Sequence, residues 1–246
     1  MKPFLILQLR PETEASDDEY AAFLEKGGLR PDQTIRVRLD RDPIPPGLRL
    51  DDLSGVIVGG GPGCVSDPAE AKSPVEQRIE QAVLGIMPEI CARDFPFLGC
   101  CYGIGILAHH LGGEVSKARF AEDVGATTCT RTPQGADDPL LAGLPGNFRA
   151  FVGHKEAVQA LPPGCAHLLE SPQCPFQMIR YRNNVYATQF HPEADSAGFA
   201  LRIRIYRHRG YFAPDDADRL IAACESEDVQ SPRRILRNFV KRHGRD

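Results

Sequence analysis

An α/β fold around a mostly parallel sheet is what this sequence predicts, and three observations carry the prediction. Strand-length apolar runs alternate with capped helical stretches through the first half of the chain. Two of those runs, Gly55 to Val58 and Phe95 to Leu98, lead straight into glycine turns. At 246 residues and 42% apolar, the chain can bury a sizeable core as one domain. We read residues 1–246 as that domain, with a core over about 1–195 and a helical extension over about 196–246.

The elements follow in order. Phe4 to Leu9 is a buried strand, Ser16 or Asp17 caps a helix running to Gly27 and Gly28, and Thr34 to Leu39 alternates like a strand. The acidic run Asp17-Asp18-Glu19 then reads as a solvated helix start facing the positive dipole end. A proline-rich loop, Asp42 to Leu48, precedes the strand Gly55 to Val58. Ser73-Pro74 with Glu76 forms a capping box with proline at the first helical position, opening a helix through about Ile90. The strand Phe95 to Leu98 turns at Gly99 into a helix ending near Gly112-Gly113. From Val115 to Gln189 short β-like runs dominate, separated by turns at Pro133-Gln134-Gly135, Pro162-Pro163-Gly164 and Asn183-Asn184. After Pro192 the chain is helical, and Ile235, Leu236, Phe239 and Val240 place an apolar stripe on a basic last helix.

Composition narrows the function classes. No apolar run approaches the roughly 20 residues of a membrane span, and the N-terminus has no export signal, so a soluble cytoplasmic protein is expected. A net charge of −4 gives no nucleic-acid footprint. The eight cysteines are scattered without CxxC spacing, which reads as free thiols in a reducing compartment. His109 and His110 lack further ligands at helical spacing, so they read as packing residues and no metal is expected.

Gly99-Cys100-Cys101-Tyr102-Gly103 has the glycine–nucleophile–glycine pattern of a strand-to-helix elbow, with Cys101 in the nucleophile position. A helix N-terminus favours negative charge, so a lowered thiol pKa is expected there. Gln189-Phe190-His191-Pro192-Glu193 supplies the imidazole and carboxylate that cysteine hydrolysis needs: His191 to move the proton, Glu193 to orient it. His-Pro-Glu alone is a common surface turn; beside the elbow it becomes a candidate triad. Gly59-Gly60-Gly61 after a buried strand exposes backbone N–H groups, and Gly61 and Tyr102 are the candidate oxyanion donors.

Together LSGVIVGGGPG, PFLGCCYGIG and ATQFHPE resemble, in order and spacing, the oxyanion, elbow and His-Glu segments of class I glutamine amidotransferases. The likeness covers roughly residues 50 to 195 and is closest to glutaminase domains similar to that of GMP synthase, as a stand-alone homologue. It implies a three-layer flavodoxin-like sandwich. It also implies a γ-glutamyl thioester on Cys101, with His191 and Glu193 as partners and no metal or organic cofactor. Gly153-His154-Lys155-Glu156-Ala157-Val158 is similar to the family's substrate-holding loop, so Gly60, Gly105, His154 and Lys155 are the expected substrate contacts. The family usually places Gln where this chain has Gly105, four residues after the nucleophile. Losing that side chain removes about 1.5 kcal/mol, or tenfold in binding, unless another group replaces it.

The implied substrate is a small γ-glutamyl amide. Glutamine, with ammonia passed to a synthetase partner in trans, is one reading. A γ-glutamyl peptide, using the room that Gly105 leaves beside the nucleophile, is the second. A regulatory module whose triad assembles only on a partner is the third. No motif sets an oligomeric state.

Overall fold

The computed structural model describes residues 1–245. In chain order the strands and α-helices are β1 (Phe4–Gln8), α1 (Thr13–Gly27), β2 (Thr34–Arg38), β3 (Gly55–Val58), α2 (Pro74–Arg93), β4 (Phe97–Cys100), α3 (Tyr102–His110), β5 (Val115–Ser116), β6 (Glu122–Arg131), β7 (Asn147–His154), β8 (Ala157–Val158), β9 (Cys165–Glu170), β10 (Met178–Tyr181), β11 (Val185–Thr188), α4 (Ser196–Ile205), α5 (Ala217–Glu225) and α6 (Arg233–His243).

Nine strands form one mixed, mostly parallel sheet flanked by helices, ordered β2-β1-β3-β4-β11-β10-β9-β6-β7. The first five in that order run parallel, as their β-α-β connections require, and the remaining four pair antiparallel as a hairpin-rich continuation. All residues of β1, β3, β4 and β11 are buried, because helices cover both faces. α2 opens on the capping box read from the sequence, with Glu76 N–H donating to Ser73 Oγ at 3.2 Å and Ser73 N–H to Glu76 Oε2 at 2.8 Å. It runs on to Arg93, past Pro88.

The start of α1 corrects an expectation. The helix begins at Thr13 behind Glu12, a full turn before Ser16 and Asp17. Ala15, Ser16, Glu19 and Phe23 therefore form its buried face at three- and four-residue spacing. Glu19 is not a solvated helix start: its side chain is wholly buried. His109 and His110 depart from expectation too, since His109 is exposed and His110 half-buried at the end of α3.

Ile235, Leu236 and Phe239 of α6 are completely buried among Phe4, Ile6 and Phe23, as their helical spacing requires. All eight cysteines are unpaired, and no helix of the described residues is long and apolar enough to cross a membrane. Burial pushes the His243 imidazole at the end of α6 down to about 4. Its folded value lies below its unfolded value, so its contribution is present above pH 6.5 and is lost as pH falls toward 4. Unfolding free energies from urea titrations across that window are expected to fall more in the native chain than in His243→Leu, by about 1–3 kcal/mol. Parallel curves would remove His243 as the cause.

Candidate active site

Sheet register brings the three motifs together. β3, β4 and β11 are neighbours pairing Val58 with Gly99 and Gly99 with Ala187, so all three end at the same edge of the sheet. The glycine loop, the elbow and the His-Glu segment leave from those ends. Cys101 N–H donates to Thr188 O at 2.8 Å, tying the elbow to the strand that delivers His191.

Cys101 sits at φ 54°, in the left-handed region that a sharp strand-to-helix turn imposes. A Cβ on Gly99 would meet the Gly103 backbone at 2.9 Å, so that glycine is a steric necessity. The same holds along the glycine loop. The Glu19 carboxylate occupies the place of a side chain on Gly59. A Cβ on Gly60 would lie 2.6 Å from His191 Cε1 and 2.7 Å from Arg10 Nη2, and one on Gly61 would lie 3.0 Å from Leu9. Gly59 N–H donates to Leu7 O at 2.9 Å and Gly60 N–H to Glu19 Oε1 at 3.2 Å. Gly61 N–H has no acceptor among the described residues and lines the cavity with Cys101. Tyr102 opens α3, where the first N–H groups precede any intrahelical acceptor.

His191 and Glu193 are both buried, with His191 Nδ1 2.8 Å from Glu193 Oε1. The carboxylate only accepts, so Nδ1 carries the proton and Nε2 keeps its lone pair. Arg202 of α4 donates from Nη1 to the same Glu193 oxygen at 2.8 Å. Its 3.2 Å approach to Nδ1 is contact without a free lone pair. Burial opposes the Glu193 charge, but His191 and Arg202 hold its carboxyl well below the usual range. Burial pushes His191 down, outweighing Glu193, which favours the neutral ring.

The thiol corrects another expectation. Burial pushes Cys101 up to about 12, even though Arg10 acts in the opposite direction. The helix N-terminus contributes no more than about 1–2 kcal/mol, less than removing a thiolate from water costs. Both shifts run toward the neutral forms, thiol and imidazole.

Two lobes of one cavity meet at Cys101, sharing Gly61, Gly153 and Tyr211. His191, Arg10 and Arg202 lie in one lobe; Gly105, His154, Lys155 and Glu156 lie in the other. Gly105 does not leave room: a Cβ there would stand 2.9 Å from Glu156 Oε1. Glu156 fills the space, accepting from Val65 N–H and Ser66 N–H at 2.9 Å and Ser66 Oγ at 2.7 Å. The His154 ring faces Glu156 O and Glu122 Oε2, each at 2.9 Å, so only its main chain remains for a ligand. Glu122, His154 and buried Cys174 bring potential metal ligands within 4.8 Å. Ser171 and Gln177 also donate to Glu122, making the group a polar network that anchors the loop after β7. The Lys155 ammonium lies 4.2 Å from the Tyr211 ring centroid and 3.3 Å from Arg209 O, turned to the segment after α4.

That segment closes the site. Tyr211 lines both lobes, and its hydroxyl donates to Pro62 O at 3.1 Å. The lobes offer about 50 and 20 Å³, room for a few waters, and Tyr211 also lines a wider cavity of about 550 Å³ reaching Ser73 and Glu76. Sequence reading missed Arg10, Glu19, Glu156, Arg202 and Tyr211. Glu19 and Arg202 carried a readable signal: each interrupts an otherwise small or apolar helical stripe, Arg202 lying between Phe199 and Tyr206.

With the geometry in place, comparison with known proteins adds ancestry. The family model "Glutamine amidotransferase class-I" matches residues 33–203. GMP synthase (glutamine-hydrolyzing) of Thermomicrobium roseum is 34% identical over 139 residues, 56% of this chain and 23% of that protein. Its counterpart in Geobacillus kaustophilus is 36% identical over 147 residues, 59% of this chain and 26% of that protein. The match thus spans about a quarter of those relatives. A glutamine amidotransferase from Thermotoga maritima superposes with TM-score 0.77 at 19% identity, covering 99% of this chain and 98% of that one. A glutamine amidotransferase from Methylobacillus flagellatus gives 0.70 at 22% identity, covering 100% and 97%. These last two are likenesses of fold.

Two outcomes test the closed, filled cavity. Iodoacetamide is expected to label Cys101 several-fold faster in Tyr211→Ala than in the native chain, read by peptide mass spectrometry; equal rates would mean Tyr211 is no barrier. Gly105→Gln is expected to cost about 1–3 kcal/mol in urea unfolding through overpacking against Glu156, and nothing further once Glu156 is Ala.

Proposed function

This chain belongs to the class I glutamine amidotransferase family, and from that premise we propose that it hydrolyses a γ-glutamyl amide through a thioester on Cys101. The observation that carries the reading is the pairing, beside a left-handed nucleophile elbow, of a cavity-lining imidazole with a fully buried carboxylate 2.8 Å away.

His191 Nε2 takes the Cys101 proton as Sγ attacks the amide carbon, so no free thiolate is required in the resting enzyme. The negative charge on the former carbonyl oxygen is met by the N–H groups of Gly61 and Tyr102. His191 then gives its proton to the leaving nitrogen as the C–N bond breaks, leaving the γ-glutamyl thioester. Water, deprotonated by the same imidazole, attacks the thioester; the C–S bond breaks, glutamate leaves and the thiol is restored. Glu193 holds the Nδ1–H tautomer throughout, and Arg202 keeps that carboxylate ionised.

Glutamine is the first substrate to test, with ammonia released toward a synthetase partner in trans. The relatives named GMP synthase, which extend well beyond the matched region, support that reading.

Ammonia release from glutamine is expected to fall about 10⁴-fold in Cys101→Ala, and about 10²-fold or more in Glu193→Gln, in which the tautomer is no longer held. Activity surviving in Cys101→Ala would sink the thioester. The acid limb of kcat/KM is expected below pH 6.5, because the base must be neutral and burial moves His191 down from that value.

A further inference from the structure

The lobe that holds His191 is the side from which the amine departs, because the proton for the leaving nitrogen comes from that ring. Two buried guanidiniums line it, Arg10 at 5% exposure and Arg202 at 4%. An ammonia leaving group has no use for either, since ammonia is neutral and becomes a cation on protonation.

The donors of Arg202 are incompletely used. Nη1 is spent on Glu193, while buried Nε and Nη2 have no acceptor among the described residues. Asp18 reaches it only through the longer-range Coulomb field, and no carboxylate other than Glu193 forms an ion pair with it among those residues. Guanidinium donors left without a protein acceptor favour an anion nearby. Arg10 donates from Nε to Glu19 Oε1 at 2.9 Å and from Nη1 to the Tyr206 hydroxyl at 3.2 Å. Its Nη2 lies over Gly60, beside the His191 ring. The other walls are apolar or aromatic, including Phe199, Ile203 and Phe212. An anion bound there meets the free Nη2 of Arg10 and the positive field of both guanidiniums, between apolar walls.

We propose that this lobe binds the carboxylate of an amino-acid leaving group, making γ-glutamyl amino acids with a small second residue the preferred substrate class. The inference rests on the thioester reading for its chemistry, but not for its binding site. The acyl half lies toward Gly105 and Glu156, the scissile nitrogen faces His191, and the carboxylate of the departing amino acid reaches Arg202 and Arg10. Hydrolysis balances as before: water adds across the amide, giving glutamate and the free amino acid, with no redox partner.

The test separates recognition from turnover. Binding of γ-glutamylglycine and of γ-glutamylmethylamide, which lacks the carboxylate, is measured by calorimetry on Cys101→Ala in the full chain. Glutamate release from both compounds and from glutamine is measured on the native protein. At least tenfold tighter binding of γ-glutamylglycine is expected, falling toward equality when Arg10→Gln is added. The ratio between two ligands within one variant is insensitive to a partial loss of folded protein. Equal affinities, or no binding of either compound, would overturn the proposal whatever the native protein hydrolyses. Discrimination without Cys101-dependent release would keep the carboxylate site and remove the thioester reading. Discrimination together with faster release from γ-glutamylglycine than from glutamine would establish both.

Discussion

A carboxylate with no exposure to water has to be kept ionised if it is to orient an imidazole, and that requirement at Glu193 organises one side of the molecule. The imidazole alone does not neutralise it, because His191 is itself buried and favours the neutral form. The compensating charge comes from Arg202, 2.8 Å away on α4. α4 is therefore part of the site's electrostatics, and its docking brings Phe199, Ile203 and Tyr206 to the same cavity. Removing one member of such a buried pair leaves the other uncompensated, a penalty of several kcal/mol.

A second ion pair serves the opposite wall. Glu19 accepts from Arg10 and from the Gly60 N–H, holding the glycine loop while the carboxylate occupies the space beside Gly59. The first two N–H groups of that loop are committed, and Gly61, whose N–H has no acceptor among the described residues, lines the cavity. Burial outweighs the nearby cation and favours the neutral thiol between these pairs. Two internally balanced ion pairs leave the site little net charge, and preorganised donors act with most effect where charge develops in such surroundings.

Tyr211 and Glu156 show how this chain departs from the pattern its motifs suggest. Glu156 occupies the volume that a side chain at position 105 would need, and its oxygens are held by Val65 and Ser66. The glycine is the counterpart of that intrusion, not a widening of the pocket. Tyr211 reaches from the segment after α4 to Pro62 and closes the mouth. The cavity beside the elbow is thus lined by residues far from it in sequence.

What the amino-acid order determined by itself was local: strand-length apolar runs, the capping box at Ser73, the elbow glycines around Cys101, and the proline that brings His191 and Glu193 into one turn. Each is an interaction across a few residues, so spacing alone expresses it. Tertiary structure decided the rest. Arg10, Glu19, Arg202 and Tyr211 enter the site from the loop after β1, from α1, from α4 and from the segment beyond it, up to about two hundred positions apart, and no short-range pattern encodes which distant charges will meet. It also decided the state of Cys101. A helix N-terminus is visible in sequence, but the burial that overrides its field belongs to the packed molecule, where the surrounding helices and loops remove the water that would have stabilised a thiolate.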